Sequence, residues 1–174
     1  SCLDHLRGMF AFAIWDDVER SLFIARDRLG KKPVFYWIDG DGLAFASEAK
    51  AFLADPAFKA RPNVAAIGAY LSYQYVAAPE SGFDGVRKLP PAHHLTIRAG
   101  GTPRVERYWR LSYEDKLPWS EDQAVDAVAA ELETATRLRL ISDVPLGAFL
   151  SGGIDSGVVV ALMAKAGASP LRTF

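Results

Sequence analysis

Ser151-Gly152-Gly153-Ile154-Asp155-Ser156 is the stretch that decides the fold of the second part of the chain. Apolar residues precede it at 146–150 and follow it at 157–163. This pattern predicts a strand, a glycine turn and a helix, in that order. Two glycines let the backbone bend and let an anion approach closely. Because the N–H groups of the turn and the positive end of the helix point at one spot, the stretch is typical of a phosphate cradle.

The side chains of this loop add to the phosphate prediction. Ser151 and Ser156 carry hydroxyl donors, and Asp155 can hold a metal ion that neutralises phosphate. No lysine follows the second glycine, so the loop differs from the Gly-x-x-x-x-Gly-Lys-Ser/Thr phosphate loop. The simpler alternative is an ordinary glycine-rich turn in which serine or aspartate caps the helix.

The loop resembles the pyrophosphate-binding loop of the ATP pyrophosphatase family, whose pattern is Ser-Gly-Gly-x-Asp-Ser. All five fixed positions match. In that family a nucleophile attacks the α-phosphorus of ATP and pyrophosphate leaves. The resemblance implies a site for ATP and Mg²⁺. In it the β- and γ-phosphates are bound by Ser151, Gly152, Gly153 and Ser156. Leu150 borders the nucleotide, and Asp155 is a candidate Mg²⁺ ligand.

Composition excludes several classes of function. The 174 residues carry a net charge of −1, which provides no basic surface for nucleic acid and no polybasic patch for a membrane. No apolar run reaches the length of a membrane span, and no signal-peptide pattern opens the chain. Cys2 is the single cysteine, so an internal disulfide is impossible and a reducing, cytoplasmic compartment is expected.

The first part of the chain predicts antiparallel β-structure with short helices. Apolar runs at 9–15, 22–25, 34–38 and 43–46 predict four strands of a meander, with 9–15 buried on both faces. Ser47 is expected to cap a short helix over 48–53, and Asn63 to start another. Residues 78–89 are predicted as a loop, and 94–97 and 105–109 as strands that pair.

The second part predicts α/β structure. Ser120 and Gln123 form a capping box before a helix with one apolar face, and this helix is expected to end near Asp143. Glu133 and Arg137 are spaced as a helical ion pair. Residues 171–174 are expected to begin a second parallel strand beside 146–150.

Stretches of the first part resemble the later portion of a class II glutamine amidotransferase domain, namely 6–16, 25–36 and 46–50. That domain is an αββα sandwich whose N-terminal cysteine hydrolyses glutamine to ammonia. Residues 73–79 and 89–93 look like the stretch that joins such a domain to a synthetase domain. The order of amidotransferase, linker and phosphate loop resembles the glutamine-dependent asparagine synthetases.

This resemblance implies an α+β fold, a partial αββα N-terminal-nucleophile sandwich with antiparallel sheets, followed by the start of a parallel-sheet α/β ATP pyrophosphatase domain. The expected boundaries are 1–110 for the amidotransferase-like part, 111–119 for the linker and 120–174 for the truncated synthetase-like part. We expect an internal fragment that lacks the nucleophilic cysteine. Cys2 stands far downstream of that position, and we interpret it as a small buried residue without a catalytic role.

The reaction implied by the family starts with aspartate, which attacks ATP to give β-aspartyl-AMP and pyrophosphate. Ammonia from glutamine then displaces AMP. Two alternatives stay open: a related ligase with another carboxylate acceptor, and a non-catalytic nucleotide-binding relative. A homodimer stays open as well.

Two other groups of residues have structural explanations that we favour. His93 and His94 are expected to lie at the surface or in a linker, because no further metal-binding residue stands at ligand spacing. The segment from Arg26 and Asp27 to Pro33 fits either a loop on the ammonia path or a rigid turn held by an ion pair, and glycine and proline at its positions favour the turn.

Overall fold

The computed structural model describes residues 2–40 and 42–174. The chain divides into two compact units, Ser1–Ser112 and Tyr113–Phe174. In the first unit the strands are β1 (Ala11–Asp16), β2 (Ser21–Arg26), β3 (Phe35–Asp39), β4 (Gly42–Ala46), β5 (Val86–Lys88), β6 (His93–Arg98) and β7 (Arg104–Arg107). Its helices are α1 (Val64–Tyr73) and two 3-10 helices, Cys2–Asp4 and Ala49–Ala54. The second unit contains α2 (Glu121–Leu138), β8 (Gly147–Ala148), α3 (Ile154–Lys165) and β9 (Arg172–Thr173).

The first unit contains two antiparallel sheets. One has the strand order β1-β2-β6-β7, and the other has the order β4-β3-β5. Strand residues alternate between the two faces of a sheet, so each strand contributes every second side chain to the space between the sheets. There, side chains from both sheets and their connections form one buried cluster: Ile24, Val34, Tyr36, Leu89 and Leu95. Burial of this apolar surface holds the two sheets together.

The other face of the smaller sheet carries a second, aromatic cluster. Phe52, Phe58 and Val86 are buried there, with Trp37 packed against them. The rings of Trp37 and Phe58 meet edge to face, with centroids 5.1 Å apart and planes at 75°. Edge-to-face contact is a favoured geometry for aromatic rings, so this cluster fixes the 3-10 helix and the following segment on the sheet.

The predicted four-stranded meander is wrong. β1 pairs with β2 and β3 pairs with β4, but β2 pairs on its other side with β6 and not with β3. The connection between β2 and β3 therefore carries the chain from one sheet to the other. β1 is an edge strand, and Ile14 and Trp15 are each 51% exposed, so the predicted burial of 9–15 on both faces is also wrong.

Several helix and loop boundaries differ from the predictions. Glu48, not Ser47, precedes the 3-10 helix Ala49–Ala54, and it makes no side-chain cap. The predicted loop at 78–89 contains β5, which is short and has only one apolar residue turned into a core, Val86. Asn63 caps α1 as predicted, since its side chain accepts a hydrogen bond from the N–H of Ala66.

The second unit follows the predicted order of elements. Ser120 and Gln123 form the predicted capping box at the start of α2. α2 ends at Leu138, five residues before the predicted end, and the N–H groups of Arg139 and Leu140 donate to the carbonyls three residues back, those of Thr136 and Arg137. β8 and β9 pair in parallel, as expected. α3 ends in a Schellman motif, in which Gly167 has a φ of +83° and the N–H of Ala168 donates to Met163 O at 3.1 Å.

The described part of the chain contains no helix with both the length and the apolar character needed to cross a membrane.

Candidate functional site

The candidate phosphate loop begins where β8 ends. The N–H of Leu150 donates to Phe174 O at 2.8 Å, which continues the parallel pairing with β9 up to the start of the loop. A Cβ atom at Gly147 would stand 2.7 Å from the exposed ring of Phe174, which would have to move to admit a side chain there. The loop therefore leaves the carboxyl end of a parallel strand, where ligands of α/β sheets bind.

The two glycines of the loop have different tasks. Gly152 has a φ of +80°, in the left-handed region that favours glycine. Gly153 is the N-cap of α3, and no side chain makes a capping hydrogen bond there. The first N–H groups of a helix have no partner within the helix. The start of α3 thus presents uncapped donors and a partial positive charge, which suit an anion.

The serine side chains converge at this helix start. The hydroxyl of Ser156 donates to Gly153 O at 3.0 Å, and the Oγ atoms of Ser151 and Ser156 are 3.1 Å apart. Since the proton of Ser156 is used on the carbonyl, Ser151 donates to Ser156. Asp155 is exposed in the first turn of α3, and Leu150 is 42% exposed beside the loop. A phosphate oxygen at this point would compete for the Ser151 proton.

A cavity of about 390 Å³ lies elsewhere in the second unit. Its walls come from 140–146 and from 166–172, at the C-terminal end of α3. That end of a helix carries the negative end of the macrodipole, which disfavours an anion. The cavity is therefore separate from the phosphate loop.

In the first unit, the turn after β2 is the most heavily hydrogen-bonded polar site. The guanidinium of Arg26 donates to three carbonyl oxygens, at 2.6 to 2.7 Å: those of Lys32, Leu89 and Gly30. A Cβ atom at Gly30 would stand 2.7 Å from Pro91, so glycine is required where the turn crosses the 89–92 segment. Main-chain carbonyls hold Arg26, and the predicted rigid turn is thus held by side-chain to main-chain bonds.

Asp27 completes this turn from the inside. Its side chain is 1% exposed and accepts hydrogen bonds from the N–H groups of Leu29, Lys31 and Lys32, at 2.9 to 3.1 Å. Burial alone would raise the pKa of the carboxyl, but the hydrogen bonds from Lys32, Lys31 and Leu29 outweigh it and hold the pKa of Asp27 below its usual value. The turn is therefore built around an ionised carboxylate.

Residues 1–109 match the family model of the glutamine amidotransferase domain. The match takes in both sheets and the Arg26–Asp27 turn. The chain belongs to the glutamine amidotransferase domain family. Residues 127–174, which contain the phosphate loop, match a second family model, asparagine synthase.

Curated relatives of this amidotransferase-family chain align along almost all of it. "Asparagine synthetase [glutamine-hydrolyzing] 3" of Bacillus subtilis is 42% identical over an alignment of 178 positions, which covers 99% of this chain and 29% of the relative. "Amidase chry2" of Gibberella zeae is 37% identical over 166 residues, 94% of this chain and 24% of the relative. The chain thus spans less than a third of the length of these relatives.

One solved structure with overlap along the chain is the glutamine phosphoribosylpyrophosphate amidotransferase of B. subtilis. The TM-score is 0.41 at 20% identity, with 99% of this chain and 33% of that chain covered.

The remaining polar candidates of the amidotransferase part, His93 and His94, are half-buried in strand β6, so the predicted position at the surface or in a linker is wrong. Nδ1 of His93 lies 2.7 Å from Pro91 O, and Nε2 of His94 lies 3.3 Å from the carboxylate of Glu106 on β7. Within 2–40 and 42–174, no group of three or more residues suits a metal ion. Cys2 is exposed in the first 3-10 helix, so its interpretation as a small buried residue is wrong. The predicted pairing of 94–97 with 105–109 is confirmed as β6 with β7, but the contact was missed because the register that sets His94 opposite Glu106 is not visible in the sequence.

Proposed function

We propose that the whole protein is a glutamine-hydrolysing asparagine synthetase, which makes asparagine from aspartate, ATP and glutamine. One observation carries the proposal: the glutamine amidotransferase match at 1–109 is followed in the same chain by the asparagine synthase match at 127–174 with its phosphate loop. The name of the 42% identical relative supports the same reaction. The single cysteine and the absence of any basic cluster support a cytoplasmic enzyme of small molecules.

The loop between β8 and α3 is the part of this chain that we assign to ATP. The uncapped start of α3 at Gly153 supplies N–H donors to the β- and γ-phosphates. The hydroxyls of Ser151 and Ser156 supply two more donors, and Gly152 lets the backbone approach the anion. Leu150 covers one side of the nucleotide. A helix end contributes roughly 0.3–1 kcal/mol per exposed charge, so further residues and Mg²⁺ must add to the affinity.

Asp155 is the residue we assign to Mg²⁺. It is an exposed carboxylate in the first turn of α3, beside the proposed phosphate position, and carboxylate oxygen is the ligand that Mg²⁺ prefers. Bound Mg²⁺ neutralises negative charge on the pyrophosphate leaving group. Within this chain, the first turn of α3 sets the position of that carboxylate, and a Schellman motif ends the same helix.

The proposed reaction has two stages on the synthetase side. A carboxylate oxygen of aspartate attacks the α-phosphorus of ATP, the bond to the bridging oxygen breaks, and pyrophosphate leaves with that electron pair. The product is β-aspartyl-AMP. Ammonia released from glutamine then attacks the acyl carbon, loses a proton and expels AMP. The 174 residues hold only part of this machinery, and we propose that they are inactive when produced alone.

A second candidate is a ligase of the same kind with another carboxylate acceptor. It is favoured by the 37% identical relative that is named an amidase. The phosphate loop is the same in both proposals, because it binds ATP and not the acceptor. The two candidates differ only in which carboxylate stimulates pyrophosphate release.

The test uses the whole protein with ATP and Mg²⁺. We expect pyrophosphate and AMP to form in equal amounts when aspartate is present with glutamine or with ammonium, and asparagine to appear at the same rate. Pyrophosphate release that requires a different carboxylate would favour the second candidate. Protein that binds ATP but releases no pyrophosphate with any acceptor would favour a non-catalytic relative and overturn the proposal.

A further inference from the structure

The first unit contains a cleft of about 770 Å³ at one end of the space between its two sheets. The polar side chains in its described lining are those of Tyr36 on β3, Arg87 on β5, His93 on β6 and Thr102 in the β6–β7 connection. Apolar walls come from Ile38, Ile97 and Val105. Ligand sites of proteins have this size and this mixture of apolar walls with a few polar groups. The cleft lies wholly within the amidotransferase part and does not include the phosphate loop.

Arg87 points into the space between the sheets. It stands directly opposite Tyr36 in the β3–β5 pair, and opposite residues share one face of a sheet. Tyr36 belongs to the buried cluster between the sheets, whereas Val86, the neighbour of Arg87, packs in the aromatic cluster on the other face. The Arg87 side chain nevertheless remains exposed, so its guanidinium lies at the solvent-open side of the cleft.

Within 2–40 and 42–174, no acidic side chain in the cleft lining neutralises the charge of Arg87. Its guanidinium donates a hydrogen bond to the hydroxyl of Tyr36. Burial raises the pKa of the Tyr36 phenol more than Arg87 lowers it, so this group is neutral at physiological pH. Among the described residues that line the cleft, none is an aspartate or a glutamate. His93 uses Nδ1 on Pro91 O and presents no negative charge.

We propose that this cleft binds a monocarboxylate with an apolar body, with its carboxylate on Arg87 and its body between β3 and β6. A single guanidinium matches one carboxylate, which it can bind through two parallel hydrogen bonds. A phosphate dianion would need a second cation, and the apolar walls favour a hydrocarbon or aromatic body. The proposal is independent of the asparagine-forming reaction.

The test is calorimetric titration of the whole protein with 4-phenylbutyrate and with 4-phenylbutan-1-ol, which has the same body without the charge. We expect the acid to bind more tightly than the alcohol. Arg87→Gln should weaken the acid about tenfold or more and leave the alcohol unchanged, because it removes only the charge-assisted bonds. Arg61→Gln, an exposed arginine that does not line the cleft, should change neither.

A second variant tests the walls. Val105 is 39% exposed, and Val105→Trp should fill the cleft and abolish binding of both probes. Equal binding of the acid by wild type and Arg87→Gln would overturn the proposal, as would an equal loss in Arg61→Gln. No saturable binding of the acid by wild type up to about 10 mM would overturn it as well. Melting curves of each variant confirm that the folded protein was titrated.

Discussion

Asp27 is the buried residue on which the turn after β2 depends. Its carboxylate accepts three main-chain hydrogen bonds, and an amide in its place could accept on one oxygen only. We expect Asp27→Asn to turn an N–H of the amide toward the N–H of Lys32 and to destabilise the fold by about 2–3 kcal/mol. Urea denaturation measures this loss. Asp17→Asn, in an exposed turn, should stay within about 0.5 kcal/mol of wild type, and an equal loss in both variants would contradict a special role of Asp27.

The same residue predicts a pH dependence. The pKa of Asp27 is lower in the folded chain than in the unfolded chain, so its stabilisation is fully present above the unfolded pKa of about 3.9. It is lost as pH falls through the folded pKa. We expect the stability difference between wild type and Asp27→Asn to be constant from about pH 7 to pH 5 and to shrink below about pH 4. A difference that grows on acidification would contradict the pKa direction.

Asp155 is expected to affect turnover and not stability, the reverse of Asp27, because its side chain is exposed and contacts no core residue. We expect Asp155→Asn in the whole protein to reduce the rate of pyrophosphate release at least about tenfold while its melting temperature stays within about a degree or two of wild type. The control is Asp126→Asn, an exposed carboxylate on α2, which should affect neither. Parallel losses of turnover and melting temperature would indicate a structural role and remove Asp155 from the proposed Mg²⁺ site.

At the scale of elements, the sequence predicts where strands lie better than how they pair. Apolar runs located β1 to β4, because strand formation depends on local alternation and β-propensity. The pairing of β2 with β6 joins residues about 70 or more positions apart, and no local pattern encodes it. The Arg26–Asp27 turn redirects the chain to the second sheet, through bonds to carbonyls that the sequence does not display.

The conformation of the turn at 151–156 was predictable for the converse reason. All of its residues are contiguous, so one strand–turn–helix pattern brings Ser151 and Ser156 together without any long-range contact. Arg87 and Tyr36 meet only because β5 pairs with β3, and β5 lies in a segment predicted as a loop. Sites built by sheet pairing therefore stay hidden until the register of the strands is known.

The packing of α2 on α3 includes a charged contact with a testable pH dependence. Lys165 donates to Glu133 at 2.7 Å, and Arg137 donates to the same carboxylate at 3.1 Å. The hydrogen bond and charge of Lys165, followed by Arg137, lower the pKa of Glu133. This contribution is present above the unfolded pKa of about 4.3 and is lost as pH falls through the folded pKa.

We therefore expect Glu133→Gln to lower the melting temperature of the second unit at pH 7, and to lower it less at pH 4 or in high salt, which screens exposed charges. Circular dichroism melting at the two pH values measures the difference. Asp126→Asn, on the same helix without a described ion pair, is the matched control. A loss for Glu133→Gln that is the same at pH 4 and pH 7 would show that packing, not charge, connects this residue to α3.

At the scale of the whole molecule, the chain contains two kinds of sheet in two compact units. Antiparallel strands fill the first unit, and the parallel pair β8–β9 with α3 forms part of the second. Residues 111–119 are all exposed and contain no helix or strand. Proteases cleave exposed segments without secondary structure, because the substrate backbone must separate from the folded protein to enter the active site of the protease.

We expect trypsin to cut the folded protein first at the edge of this segment or within it, that is, after Arg110 or after Lys116. Lys59 is one competing exposed site, but Phe58 is buried beside it in the aromatic cluster and holds the backbone in place. Brief digestion followed by mass spectrometry should yield two products that end and begin within 110–117, each resistant to further cleavage. Arg110→Gln with Lys116→Gln should slow the first cut about tenfold or more, whereas Lys59→Gln should not, because cleavage there requires Phe58 to leave its cluster. A first cut after Lys59 in wild type would mean that the aromatic cluster opens more readily than the exposed segment, and the assignment of 111–119 as a linker would be wrong.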